Sequence, residues 1–321
     1  MNPSAVIGID LGGTKLAGAL FNCEGRILAR LFMPLAGRHG RAVGVLVRDS
    51  VAELLQTAKD KNVKVEAVGV SVPGISHSRT GRVWAPNIPG WKSFPLRNEL
   101  HSAIGNKRIG VLIESDRSCY ILGEAWRGAA KGCRNAIFIA VGTGIGAGIL
   151  VDGRILRGAH DIAGAIGWLA LDRPFRPQYA GCGCFEHHAS GEGLAKVANE
   201  LLRTPPLRPE KSAQAWTARE VFAGYGRGNR ISKAVLQQAI QFWGMAVANL
   251  VSIFDPEKII FGGGVFGPAV RFLDDIHAEA RKWAQPIAIR KVRLVASRLS
   301  GDAGLYGAGY LALNKAESPF D

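Results

Sequence analysis

Two apolar stretches of the chain carry one pattern, IGIDLGGTKLAGALF at 7–21 and IFIAVGTGIGAGILV at 137–151. Superposed, Ile7, Ile9, Gly12, Ala17, Gly18 and Leu20 meet Ile137, Ile139, Gly142, Ala147, Gly148 and Leu150. In each copy β-branched runs flank glycines that tolerate positive φ, which predicts a strand, a glycine turn and a returning strand. Further along, 27–32 reads as a third strand, and Val43, Val47, Val51, Leu54 and Leu55 recur at helical spacing within 42–58. A buried-type strand follows at 65–72. Residues 73–91, rich in Gly, Pro, Ser and Asn, predict a long loop that exposes Asn87 between Pro86 and Pro89. A strand over 109–113 then runs into Glu114-Ser115-Asp116 and a helix over 117–126, so Asp116 falls at a strand-to-helix junction.

The second half repeats this order. After its hairpin come a glycine-rich loop through Trp168, a Pro- and Cys-bearing excursion at 173–184, and helices. A long helix over 231–254 stops at Asp255-Pro256, a short strand at 258–261 enters Gly262-Gly263-Gly264, and a helix over 269–283 follows. The last strand, 292–296, precedes a small-residue helix at 301–312 able to pack close to a sheet. Backbone N–H groups of a glycine turn can converge on an anion, so two such turns facing a cleft suggest a nucleotide clamp. A single glycine hairpin is most often just a turn. Repetition strengthens the reading, as do Asp10 and Lys15, a threonine in each copy (Thr14, Thr143) and the third glycine cluster. Neither hairpin fits the P-loop or the dinucleotide fingerprint, both of which open a helix.

With 321 residues and 47% hydrophobic content, the chain can bury two cores of ordinary size. Its longest apolar run, 136–151, contains four glycines and is itself a hairpin, so no membrane span is expected. The first strand begins within about five residues of the start, leaving no room for a secretory leader. Five cysteines without a secreted-type framework favour reduced thiols in the cytoplasm. The net charge of +14 comes from Lys and Arg spread along the sequence. It suits small anions, and nucleic-acid binding is not expected.

In combination, DLGGTK at 10–15, VPG at 72–74, WAPNIPGW at 84–91, GEAWRGAA at 123–130, VGTGIGAGI at 141–149, DGRILRGAHDIAG at 152–164, CFEHHASG at 184–191, DPEKIIFGGGV at 255–265 and GDAGLYGAG at 301–309 resemble the ROK (repressor, open reading frame, kinase) family of sugar kinases, within the actin-like ATPase superfamily. The resemblance implies an α/β fold of two ribonuclease H-like (actin-like ATPase) domains around a central cleft. We place the first at 1–116, completed by a C-terminal helix at about 302–321, and the second at 117–301. It further implies ATP and magnesium as cofactors, with Asp10, Gly12, Gly13, Thr14 and Lys15 as one phosphate and magnesium loop. Gly142, Thr143, Gly144 and Gly146 would form the second loop, and Gly262, Gly263 and Gly264 the adenosine side. Asp116 matches the general base that takes the proton of a sugar hydroxyl as it attacks the γ-phosphoryl group. The alternative for Asp116 is a helix N-cap, worth ~1 kcal/mol. Gly74, Asn87, Ser115, Asp116, Trp168 and Glu186 are the implied substrate contacts, and a cytoplasmic homodimer is the implied assembly. Family repressors carry an N-terminal winged helix, and a repressor is not expected here.

The departures from the pattern bear on specificity. Ser115-Asp116 stands where the family has Asn-Asp, and Arg117 replaces a small residue. The family's Gly-Glu-x-Gly-His is Gly164-Ala165-Ile166-Gly167-Trp168, so only Glu186 and Asn87 survive from the polar sugar set. The lost histidine is also a family zinc ligand. Aligning Cys184 with the last ligand puts Pro177 and Tyr179 at the first two cysteine positions, so zinc is not expected, since four N or S donors are required. A rewired site from Cys182, Cys184, His187, His188 and His160 is the minor alternative. Trp168 either faces a substrate with an apolar side or fills the space of the lost metal. The expected activity is phosphorylation of a sugar or sugar-like polyol, such as a non-standard hexose, an amino sugar or a cyclitol. Polyphosphate is a lesser alternative donor. A non-catalytic sensor that binds sugar and nucleotide is the competing reading.

Overall fold

The computed structural model describes residues 3–203 and 215–314. Its strands build two five-stranded sheets of one topology. In the first, β1 (Ser4–Leu11), β2 (Lys15–Asn22), β3 (Ile27–Pro34) and β4 (Lys64–Val72) precede a small antiparallel ribbon of β5 (Ile75–His77) and β6 (Arg82–Trp84), and β7 (Gly110–Ser115) ends the sheet, whose order is β3-β2-β1-β4-β7. β1–β2 and β2–β3 are antiparallel, whereas β1–β4 and β4–β7 are parallel. The second sheet runs β10-β9-β8-β11-β12, from β8 (Ala136–Val141), β9 (Ile145–Val151), β10 (Arg154–Ile155), β11 (Lys258–Gly262) and β12 (Arg293–Ala296). Both repeated segments are therefore central antiparallel hairpins. Their continuous apolar runs follow from burial on two faces, as in β1, where Val6, Ile7 and Ile9 have almost no exposure.

The helices are α1 (Arg41–Asp60), α2 (Leu96–Ile104), α3 (Asp116–Arg127), α4 (Cys184–Ala189), α5 (Gly191–Arg203), α6 (Ala218–Gly226), α7 (Arg230–Phe254), α8 (Leu273–Ala280) and α9 (Ala303–Leu313). α1 buries Val43, Val47, Val51 and Leu54 against the first sheet, as its spacing predicts. On the opposite face Phe21, Leu305, Trp126 and Tyr306 form a second cluster. α7 is apolar almost all round and accordingly buried, from Val235 through Trp243 to Val251.

Two compact units result: residues up to Gly132 with Ile155–Ala163 and Arg298 onward, and Cys133–Arg154 with Gly164–Ser297. The division thus falls one helix later than the 116/117 boundary read from the sequence. Glycines are the reason. A Cβ at Gly123 would lie 2.2 Å from the Ala303 carbonyl oxygen, and one at Gly307 would lie 1.8 Å from that of Cys119, so α3 and α9 pack backbone to backbone. The portion of the expected C-terminal helix at 315–321 lies outside the described residues. Two further differences are local. The expected loop at 73–91 contains the β5–β6 ribbon, and the helix expected over 269–283 is a 3-10 turn, Pro268–Phe272, followed by α8.

Candidate active site

In the first unit the turn between β1 and β2 is closed by Gly12 N donating to the Lys15 carbonyl at 2.8 Å, and Leu35 N donates to Thr14 O at 2.9 Å. Gly13, Thr14 and Lys15 are exposed, leaving their backbone open to an anion. Asn87 is brought to this turn, since a Cβ on Gly13 would lie 3.6 Å from the Asn87 Cβ. The loop bearing Asn87 is fixed by Ala85 N to Trp91 O (2.8 Å), Ile88 N to Ala85 O (3.1 Å) and Trp91 Nε1 to Gly40 O (2.9 Å). Gly74 has φ 131° and passes so close to the Trp84 carbonyl that a Cβ would meet its oxygen at 2.2 Å. A side chain is excluded there on both counts.

Asp10 ends its strand against α9, where a Cβ on Gly304 would touch its carboxylate at 2.6 Å. Burial raises the Asp10 pKa to about 6; Ser71 lowers it, the Asp116 charge raises it, and Lys15 lowers it. Ser115, not Asp116, is the N-cap of α3: its side chain accepts from Ser118 N at 3.4 Å and its hydroxyl donates to the Ser118 hydroxyl at 3.1 Å. The capping alternative for Asp116 therefore gives way, and the Ser115 hydroxyl makes both of its bonds within the first turn of the helix. Asp116 is the first helical residue, with Oδ1 accepting from Arg117 N at 2.8 Å and Oδ2 from the Tyr120 hydroxyl at 3.3 Å. Burial raises its pKa, and the Arg117 charge opposes the rise. A more basic carboxylate results.

Immediately before this pair, buried Glu114 accepts from Ser115 N at 2.9 Å through Oε1 and from Arg157 Nε at 2.7 Å through Oε2. Arg157 arrives from the excursion 155–163, which is also docked by Asp161 accepting from Ser78 N at 3.1 Å. No local sequence signal joins Glu114 to Arg157, which lie 43 positions apart. Tyr120, at i+4 from Asp116, was legible in principle from helical spacing.

In the second unit Gly142 N donates to Gly144 O at 2.9 Å, and Gly191 N and Glu192 N, at the start of α5, donate to Gly142 O and Thr143 O at 2.8 and 3.4 Å. The turn is thus anchored through its carbonyls, while Gly142 has no atom within 4 Å of a Cβ position. Gly146 lies within the sheet, paired with Ala140. Glu186 accepts from Ile145 N at 2.6 Å and underlies Gly144, where a Cβ would meet its Oε2 at 2.6 Å. Burial raises its pKa. Gly262 packs on Phe138, Gly263 has φ 89° against the Val141 carbonyl, and Gly264 faces open space. The backbone beyond β11 is therefore approachable.

Trp168 is 57% exposed, so it does not fill a core in place of a metal. Tyr179 is buried instead. It is 3% exposed, its hydroxyl lies 2.8 Å from His188 Nε2 and 3.0 Å from Asp172 Oδ2, and its ring meets both His187 and His188 edge-on. His188 also stacks on Phe242, with centroids 4.3 Å apart, and burial lowers its pKa to about 4. Cys184 is buried, Cys182 partly so, and His160 exposed. Among the described residues no three His, Cys, Asp or Glu side chains group as a metal site. Zinc needs four N or S donors in one tetrahedral array, which Cys182, Cys184, His187, His188 and His160 do not form. No described helix is long and apolar enough to cross a membrane.

Comparison with known proteins agrees with this architecture. The chain is 30% identical to the glucokinase of Halalkalibacterium halodurans over 328 residues, covering 97% of this chain and 96% of that one. Among solved structures, the ROK hexokinase of Thermus thermophilus superposes with a TM-score of 0.81 at 30% identity, covering 98% and 99% of the two chains. A ROK family glucokinase of Streptomyces griseus, solved with glucose and AMPPNP, gives 0.74 at 29% identity, covering 97% and 99%. The sequence model of the ROK family matches residues 6–315, and the chain belongs to that family.

Proposed function

We propose that Asp116 is the general base of this ATP-dependent carbohydrate kinase. The observation that carries the proposal is the state of Asp116: a carboxylate made more basic by burial, released from capping by Ser115 and held at both oxygens. The acceptor hydroxyl gives its proton to Asp116 as its oxygen bonds to the γ-phosphorus, and the bond to the β-phosphate oxygen breaks to release ADP. The exposed backbone at 13–15 and at Thr143 suits phosphate binding, that at 263–264 suits the adenosine side, and Lys15 adds a cation. Asp10 is the carboxylate of the first loop suited to magnesium, which when bound neutralises charge on the transferring phosphoryl group.

The acceptor is a sugar or sugar-like polyol outside the plain hexose pattern. Asn87 and Glu186 remain to meet hydroxyls, Ser115 is diverted to its cap, and exposed Trp168 offers an indole to an apolar sugar face. Cytoplasmic location follows from the need for ATP, and homodimerisation from family resemblance. The test is ADP release with MgATP and a panel of glucose, mannose, N-acetylglucosamine, N-acetylmannosamine and inositol. Fastest turnover on an amino sugar or cyclitol supports the altered acceptor, and fastest turnover on glucose overturns that part. Asp116→Asn should lower turnover by about 10²–10⁴-fold while leaving ATP affinity unchanged; full activity in it removes the base.

A further inference from the structure

Asp116 is held at two points that differ in kind. Oδ1 accepts from the amide of the next residue in its own helix, a contact any aspartate at this position can make. Oδ2 accepts from the Tyr120 hydroxyl, a contact that depends on one side chain one turn along. The first fixes one oxygen and leaves the carboxylate plane free to swing about it; the second stops that swing. Ser115, the neighbour that might have shared the task, gives its side chain to Ser118 N. Tyr120 is rigid beyond χ2 and partly buried on α3, so its hydroxyl keeps its place at little entropic cost.

We infer that Tyr120 is the positioning residue of the base, its phenol holding one lone pair of Asp116 Oδ2 so that the other is presented to the acceptor hydroxyl. This rests on Asp116 being the base. The groups that bear on Asp116 are Arg117, Cys119 and Tyr120 from α3 and Asp10 from β1. Of these, Tyr120 donates a side-chain hydrogen bond to the carboxylate. A phenol donating to a carboxylate favours its charged form, so loss of the hydroxyl raises the pKa of the base while loosening its aim.

The experiment compares wild type, Tyr120→Phe and Asp116→Asn across pH, with MgATP and the panel sugar that wild type turns over fastest. Tyr120→Phe should lower kcat about tenfold, leave KM for ATP within about twofold, and move the acid limb of kcat to higher pH by up to about one unit. A purely structural role would change thermal stability without moving the limb. Site-specific 3-fluorotyrosine at position 120 preserves the ring and strengthens the donor, so the limb should move to lower pH. An inactive Asp116→Asn beside Tyr120 variants whose kcat and acid limb match wild type overturns the positioning role alone. An active Asp116→Asn overturns the base, and the role of Tyr120 with it.

Discussion

Asp10 and Asp116 are carboxylates of one unit whose pKa burial raises, a cost in stability that the proposed function would turn to chemical use. For Asp10 the sign is explicit. Its folded pKa of about 6 exceeds the ordinary 3.8, so the folded state binds more protons between those values. The stability this group contributes is full below about pH 4 and is lost as pH rises through about 6. Asp10→Asn should therefore raise the melting temperature of the ligand-free protein by a few degrees at pH 7.5, with the gain vanishing near pH 4, while turnover is lost. Scanning calorimetry at the two pH values checks this, and a gain confined to low pH would contradict it. The trade follows the general pattern of functional groups held in unfavourable surroundings.

Between the elements, the strand end that carries Asp116 is secured by a segment distant in sequence. β7 delivers Glu114 to the interior, and the excursion 155–163 supplies Arg157 to neutralise it. Arg157→Ala leaves a buried carboxylate without its cation, which should cost about 2 kcal/mol, less than the ~3–5 kcal/mol of a fully buried pair because Arg157 is partly solvated. Urea denaturation measures the loss, and an unchanged midpoint would contradict the pairing. The hairpins, α1, β4, β7 and α7 were legible because glycine turns and apolar periodicity are local signals. The β5–β6 ribbon was not, since its strands are three residues each and lie in turn-rich sequence. The division after Gly132 was equally hidden, for it depends on α3 meeting α9 through Gly123 and Gly307, far apart along the chain. At the site, the glycine turns could be read from local sequence, and Asp116 was singled out by the family resemblance. Tyr120, one turn from Asp116, lay within reach of helical spacing, whereas the Ser115 cap and the Arg157 tether required side-chain directions that spacing alone does not fix.

Over the whole molecule, one sheet topology used twice supplies two glycine-turn hairpins, and each unit adds the carboxylate that the proposed function draws on, Asp116 after β7 or Glu186 beneath Gly144. In the second unit the α4 region is tied to the preceding segment by the Tyr179 hydroxyl, which lies between His188 and Asp172. A metal chelator should then leave the melting temperature unchanged, whereas Tyr179→Phe, which strips a buried ring nitrogen of its partner, should cost about 1–3 kcal/mol. A chelator-induced drop would restore a metal to this region. The most direct test of the central claim is ³¹P NMR of the protein with MgATP and the panel sugars. The account predicts a new sugar phosphate signal growing with that of ADP in wild type and absent in Asp116→Asn. ATP bound tightly but unconsumed with every sugar, or an equal product signal in the variant, would contradict it.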